Sequence, residues 1–279
     1  MSGATETGRS GPASSLTLPR GVTLYLIRHG ETDWNAEGRL QGGKDIPLND
    51  FGRVQAEEVG QKLLALKANA GDLAYLCSPM ARARETMEIA RQAIGLHPPS
   101  YHVDQRLREL TFGAWEGLTW REVRKLDPAR AQQREQHKWA YAPPGGESYQ
   151  MLLERVAPVF SALERDTVVV SHGGVMRAVL AGLGLEPTRR AESIDIWQGR
   201  VLVISGDRQA CTRRQTVSAA REAAASILIQ FHYAAFTGGS APFLLSQPQS
   251  AAVHAGPEKA SDSGVWVGSS RRRIQQRQT

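Results

Sequence analysis

Cysteine is nearly missing: the 279 residues hold two, Cys77 and Cys211. Two scattered cysteines are too few for a disulfide framework or a zinc site, and they point to a reducing compartment, the cytoplasm. Long apolar runs are missing as well. No stretch reaches the roughly 18 consecutive apolar residues that a spanning helix needs. The longest candidate, Ala223 to Phe236, is broken by Gln230 and His232, so no membrane is expected. The first twenty residues are rich in Gly, Ser and Thr with no apolar core segment, which predicts a disordered leader and not a secretory signal. His, Asp and Glu are not spaced as metal ligands either.

Acidic charge is scarce only at one end. Beyond Asp207 there are nine Lys/Arg and three Asp/Glu, a net +6 that equals the whole chain's formal charge. Residues 1–207 therefore sum to zero. The basic balance belongs to a tail, residues 208–279, and gives the folded body no reason to take nucleic acid as partner.

What the chain does have is alternation. Val22–Ile27, Leu73–Cys77, Tyr101–Val103, Thr167–Val170, Ser193–Ile196 and Val201–Ile204 read as short strands. Helical patterns fall between them: from the N-cap candidate Asn49 to Lys67, from Ser78-Pro79 onward, Thr119–Leu126, Glu147–Glu164 and Gly173–Leu183. Strands alternating with helices predict an α/β fold with a mostly parallel sheet over residues 21–207. After Gly206 the pattern dissolves and does not resume.

Ligands of such sheets sit outside the carboxyl ends of the parallel strands. Arg28 and His29 follow the first strand, Ser78 the second, and His172 the strong strand Thr167–Val170. Two strand-end histidines, each followed by Gly, would face one crevice, and Gly30 and Gly173 would let backbone approach a ligand closely. Arg82 lies at the start of a helix, where N–H groups already favour anions, and guanidinium groups bind phosphate oxygens bidentately. Arg84, two residues on, points elsewhere.

Four motifs occur in order: LIRHGETDWN (Leu26–Asn35), SPMARARET (Ser78–Thr86), LRELTFGAWEG (Leu107–Gly117) and VVVSHGG (Val168–Gly174). Together they resemble the signatures of the histidine phosphatase superfamily, also called phosphoglycerate mutase-like, over about Val22 to Asp207. The resemblance implies a three-layer α/β/α fold and a phosphoryl-transfer reaction without cofactor or metal. It implies His29 as a nucleophile that forms a phosphohistidine. Arg28, Arg82, His172 and Asn35 would hold the phosphoryl oxygens. Glu109 would be general acid and then base, with Glu116 as its nearest competitor. Gln41, Gly42 and Gly173 would contact substrate. Nearby arginine charge would keep His29 neutral.

Family mutases carry a longer insertion after the acid motif, for which Gly117 to Pro143 has no room. FGAWEGLTW resembles the broad-specificity and cobalamin-pathway phosphatases more closely. The expected activity is hydrolysis of a small phosphate monoester, with a mutase and a non-catalytic phospho-ligand binder as the other readings. Homodimerisation stays open. Aromatic residues are only 6% of the chain, yet Trp115, Trp120, Trp139 and Tyr141 gather in one segment, either as a lid over the substrate or as core.

Overall fold

The structure, a computed structural model, describes residues 16–207. A five-stranded sheet runs in the order β3-β2-β4-β1-β5. Its strands are β1 (Thr23–Arg28), β2 (Ala74–Cys77), β3 (His102–Val103), β4 (Thr167–Ser171) and β5 (Val201–Ser205). β1, β2, β3 and β4 pair in parallel, and only β5 runs antiparallel, against β1.

The uninterrupted apolar run of β1 follows from burial on both faces. Leu24 and Leu26 enter one core cluster, and Tyr25 and Ile27 enter the other. Val169 and its neighbours Val168 and Val170 divide between the same two clusters. Side chains alternate across a strand, so a strand covered on both faces must be apolar throughout. Each fully buried Leu, Ile or Val contributes about 1.5–3 kcal/mol relative to exposure.

Helices α1 (Asp33–Ala36) and α2 (Asp50–Leu66) follow β1, and α3 (Ala81–Ala93) follows β2. The short helices α4 (Trp120–Leu126) and α5 (Pro128–Gln136) lie between β3 and β4, followed by α6 (Tyr149–Ser161). α7 (Gly173–Gly182) and α8 (Thr188–Ala191) separate β4 from β5. Residues of α2 and α3 close one face of the sheet, and those of α6 and α7 close the other. This is the three-layer α/β/α arrangement with a mostly parallel sheet.

Three segments differ from the sequence reading. Leu16 and Leu18, inside the expected leader, are each 1% exposed, and the Leu16 N–H donates to the Gly182 carbonyl at 3.1 Å. Two apolar residues among Ser, Thr and Pro are too brief a pattern to stand out, yet they seal the end of the α6–α7 core. Ser193–Ile196 is not a strand. Its carbonyls serve side chains instead of a ladder: Ile196 accepts from Arg28 Nη1 at 2.7 Å, and Ile194 accepts from Arg177 Nε at 2.9 Å. The helix after Ser78-Pro79 begins only at Ala81, with Met80 as its N-cap. Ser78 is thereby free for other work. The tail 208–279 and the first fifteen residues lie outside the described residues.

Candidate active site

The strand ends converge as the topology requires. The His29 N–H donates to the Ser171 carbonyl at 3.0 Å, and the Ser78 N–H to the Val170 carbonyl at 3.0 Å. The last residues of β1, β2 and β4 therefore hand His29, Ser78 and His172 to one end of the sheet. His29 and His172 face each other there, with ring centroids 5.1 Å apart and planes inclined by 60°.

His29 is 3% exposed, and its Nδ1 lies 2.7 Å from the Gly30 carbonyl oxygen. A carbonyl only accepts, so Nδ1 carries the proton of the neutral ring and the Nε2 lone pair is left free. The neutral form is strongly favoured. Burial pushes the His29 pKa well below the ordinary histidine value, and the charges of Arg82 and then Arg28 push it further. The sequence attributed this to arginine charge; burial is the larger cause.

Behind His29 the backbone is fixed from α3. The Gly30 N–H donates to Thr86 Oγ1 at 3.0 Å, and that hydroxyl donates to the Arg82 carbonyl at 2.7 Å. Gly30 does not make room for a ligand. A Cβ there would stand 2.3 Å from the Gly52 carbonyl oxygen. The close approach it permits is to the first turn of α2.

His172 is fully buried, with Nε2 2.7 Å from Ser78 Oγ, while its Nδ1 meets no protein partner. Burial, then Arg82, lowers its pKa well below the usual value. Arg28 keeps one donor on Ile196 and has an unpartnered Nε. Burial chiefly, and Arg177 next, bring its pKa down to about 10. Arg82 is fully buried and gives Nη1 to the Lys44 carbonyl at 2.6 Å and Nη2 to the Gly42 carbonyl at 3.0 Å. Two of its donors thus hold the loop after α1, leaving Nε and the charge for the site. Among the described residues, four buried side-chain polar atoms lack a partner: Arg28 Nε, Arg82 Nε, His172 Nδ1 and Gln41 Oε1. All four belong to residues that the family resemblance singles out, three of them inside the motifs.

Glu109 lines the same cleft. Its Oε2 accepts from the Gly174 N–H and its Oε1 from the Leu110 N–H, both at 2.9 Å. A Cβ on Gly174 would come within 2.3 Å of Glu109 Oε1, so the second Gly of VVVSHGG makes room for the carboxylate. Ser171 Oγ donates to the Leu107 carbonyl at 2.9 Å and ties the Glu109 segment to β4. The competitor Glu116 is consumed structurally. Its Oε1 accepts from the Gly43 N–H at 2.7 Å, Thr111 Oγ1 at 2.6 Å and the Phe112 N–H at 3.2 Å.

Asn35 closes a capping box with Thr32 and also lines the cleft, as does Gln41, whose Nε2 donates to Thr32 Oγ1 at 2.7 Å. Gly42 and Gly173 border the cleft too. Gly42 takes φ +52°, and a Cβ on it would lie 2.2 Å from Glu116 Oε1. Of the aromatics, Trp120 lines the cleft, whereas Trp115 is 2% exposed and stacks on Tyr141, and Trp139 stacks on Tyr149. Sequence reasoning did not assign Ser78, Thr86, Ser171 or Gly174 a role. Ser78 carried a signal in its place at a strand end, and Thr86, Ser171 and Gly174 in their places inside the motifs.

The two histidines predict a pH dependence of folding. Both pKa values fall on folding, so below about pH 6.5 the unfolded chain takes up protons that the folded one refuses. Stability from this source is complete above pH 6.5 and is lost as pH falls. Each histidine contributes a slope of about 1.4 kcal/mol per pH unit. Urea unfolding at pH 7, 6 and 5 should show the decline, and His172→Asn should remove about half of it.

Among the described residues no helix is long and apolar enough to cross a membrane, and no three His, Cys, Asp or Glu side chains gather as metal ligands. An acid phosphatase of Mycobacterium tuberculosis is 36% identical over 166 residues, which are 58% of this chain and 75% of that protein. A probable phosphoglycerate mutase, GpmB, of Salmonella paratyphi C is 36% identical over 177 residues, 61% of this chain and 79% of that one. A 6-phosphofructo-2-kinase/fructose-2,6-bisphosphatase of Caenorhabditis elegans is 35% identical over 183 residues. That match covers 64% of this chain but only 37% of the longer protein. The solved structure of Bacillus stearothermophilus YhfR aligns with a TM-score of 0.56 and 35% identity, covering 66% of this chain and 91% of that one. The family model for the histidine phosphatase superfamily (branch 1) matches residues 24–217. The chain belongs to that superfamily.

Proposed function

We propose that the protein hydrolyses small phosphate monoesters through a phosphohistidine on His29. The observation that carries this reading is the free Nε2 of a buried, neutral His29, set among three unpartnered nitrogens on Arg28, Arg82 and His172. A phosphoryl group in the cleft would supply the oxygens that those nitrogens lack.

In the first step the His29 Nε2 lone pair forms a bond to phosphorus as the P–O ester bond breaks. The departing oxygen keeps the bonding pair and takes a proton from the Glu109 carboxyl group. In the second step the Glu109 carboxylate takes a proton from water, whose oxygen bonds to phosphorus. The P–N bond breaks, and its electron pair returns to Nε2. Alcohol and inorganic phosphate leave, and the enzyme is as it began.

Relatives include both phosphatases and mutase-like proteins. Hydrolysis is favoured because α4 and α5, two short helices, occupy the segment where mutases carry their insertion. The test is turnover of phosphate monoesters, 3-phosphoglycerate among them, in water enriched in ¹⁸O. One heavy oxygen per released phosphate, with no isomerised phosphoglycerate, is the expected result. An isomerised ester without free phosphate would make the protein a mutase, and no turnover of any ester would leave a phospho-ligand binder.

A further inference from the structure

The two histidines of the site are held in different ways. A backbone carbonyl grips His29 and places its proton on Nδ1. His172 is gripped by a hydroxyl, Ser78 Oγ, which lies 2.7 Å from Nε2. A carbonyl only accepts, whereas a hydroxyl can donate or accept. Which way this contact runs decides what His172 presents to a ligand.

The surroundings of Ser78 fix the direction. The residue is fully buried, so its hydroxyl hydrogen must find an acceptor inside the protein. Ser78 stands just past the end of β2, where its own N–H donates to the Val170 carbonyl of β4 at 3.0 Å. Pro79 brings no N–H. The following N–H, of Met80, points back at Ser78 Oγ from 3.4 Å, in the turn that a serine hydroxyl makes with the backbone two residues on. A backbone N–H can only donate, so it takes up a lone pair of the oxygen. Among the described residues this leaves His172 Nε2 to accept the hydroxyl hydrogen. In the reverse arrangement Oγ would accept twice, and its hydrogen would be stranded in the core.

Nε2 of His172 therefore carries the lone pair. The ring is neutral, since burial and then Arg82 depress its pKa well below the ordinary value. A neutral imidazole has one N–H, and here it is Nδ1–H. That nitrogen is buried, meets no protein partner, and belongs to a ring 5.1 Å from His29. Both rings carry their proton on Nδ1, yet they present opposite nitrogens. His29 offers a lone pair that can attack, and His172 offers an N–H that can hold an oxygen. The other tautomer of His172 would turn a lone pair toward the phosphoryl oxygens and repel them.

We infer that Ser78 is a positioning residue whose hydroxyl locks His172 in the Nδ1–H tautomer and so makes that ring a donor to the phosphoryl group. This rests on the phosphatase reading of the site. Ser78 is not among the residues that line the cleft, so it acts through His172 alone.

The direct test is ¹⁵N NMR of the full chain with labelled histidine, at about pH 7.5, with the His172 signals identified by their loss in His172→Asn protein. The parent should show a protonated Nδ1 and a bare Nε2 on His172, and inorganic phosphate should shift the Nδ1 proton. A ring protonated on Nε2, or on both nitrogens, would overturn the assignment. Ser78→Ala leaves nothing to keep Nε2 bare, so the Nδ1–H signal should weaken and an Nε2–H signal should appear. An unchanged tautomer in that variant would also overturn the role. Turnover by Ser78→Ala should fall about tenfold or more for all esters alike, because holding an oxygen does not depend on the leaving group. In a His172→Asn background the same substitution should cost less than about twofold. Equal losses in both backgrounds would make Ser78 a structural residue only. The NMR result needs no turnover, which separates the two readings. A tautomer lock that Ser78→Ala breaks, in a parent that hydrolyses no ester, would leave the role of Ser78 standing and remove the phosphatase. Turnover by a parent whose His172 is protonated on Nε2 would do the reverse.

Discussion

His29→Ala protein should fold, bind inorganic phosphate and hydrolyse p-nitrophenyl phosphate at least about 10⁴-fold more slowly than the parent. The size of the loss follows from the absence of a substitute. His172, the nearest imidazole, has its Nε2 engaged by Ser78 and its ring tilted 60° from that of His29. It can hold a phosphoryl oxygen but is not presented as a second nucleophile. Folding should survive. The lost Nδ1–H contact to the Gly30 carbonyl and the small cavity together cost about 1–3 kcal/mol, while the Thr86 contact still fixes Gly30. Rapid quenching with a ³²P-labelled ester should trap acid-labile label on the parent and none on the variant. Undiminished turnover by the variant would remove His29 from the chemistry.

That His29 could be singled out from sequence has a physical reason. An apolar run that ends in Arg-His can end only at the edge of the core, and parallel strands place such ends together. Leu24–Ile27 and Thr167–Val170 announced themselves because burial on both faces leaves no polar position. Contacts that depend on distant backbone were not legible. Gly30 looked like a ligand contact, yet it yields to Gly52, which follows it by a whole loop and reaches it only through the packing of α2. Arg82 looked like a free clamp, but the Gly42 and Lys44 carbonyls take two of its donors. Ser193–Ile196 had the composition of a strand, and the arginines of the site claimed its carbonyls. Side-chain partnership across the fold, not local propensity, decided each of these.

Glu109→Gln should slow the enzyme by an amount that depends on the leaving group. With p-nitrophenol, which departs without help, the loss should be about tenfold or less. With an aliphatic alcohol, which must be protonated as it leaves, it should reach about 10²–10⁴-fold, the usual contribution of a positioned acid. Gln is the informative replacement because its amide oxygen can still accept one of the two N–H bonds that hold Glu109, from Leu110 and Gly174, but it has no proton to give. Glu116→Gln is the matched control. That side chain accepts from Gly43, Thr111 and Phe112 and shapes the loop beside the cleft. Its loss should therefore slow all esters alike. A steep leaving-group dependence for Glu109→Gln beside a flat one for Glu116→Gln would separate proton transfer from scaffolding. Flat behaviour of both would make Glu109 a positioning residue and send the proton to a different donor. Gly174→Ala offers a geometric check, since the new Cβ would stand 2.3 Å from Glu109 Oε1 and so displace the carboxylate. The alanine variant should reproduce the steep dependence with both carboxylates still present in the chain. Displacing the acid and removing it should then read as the same defect.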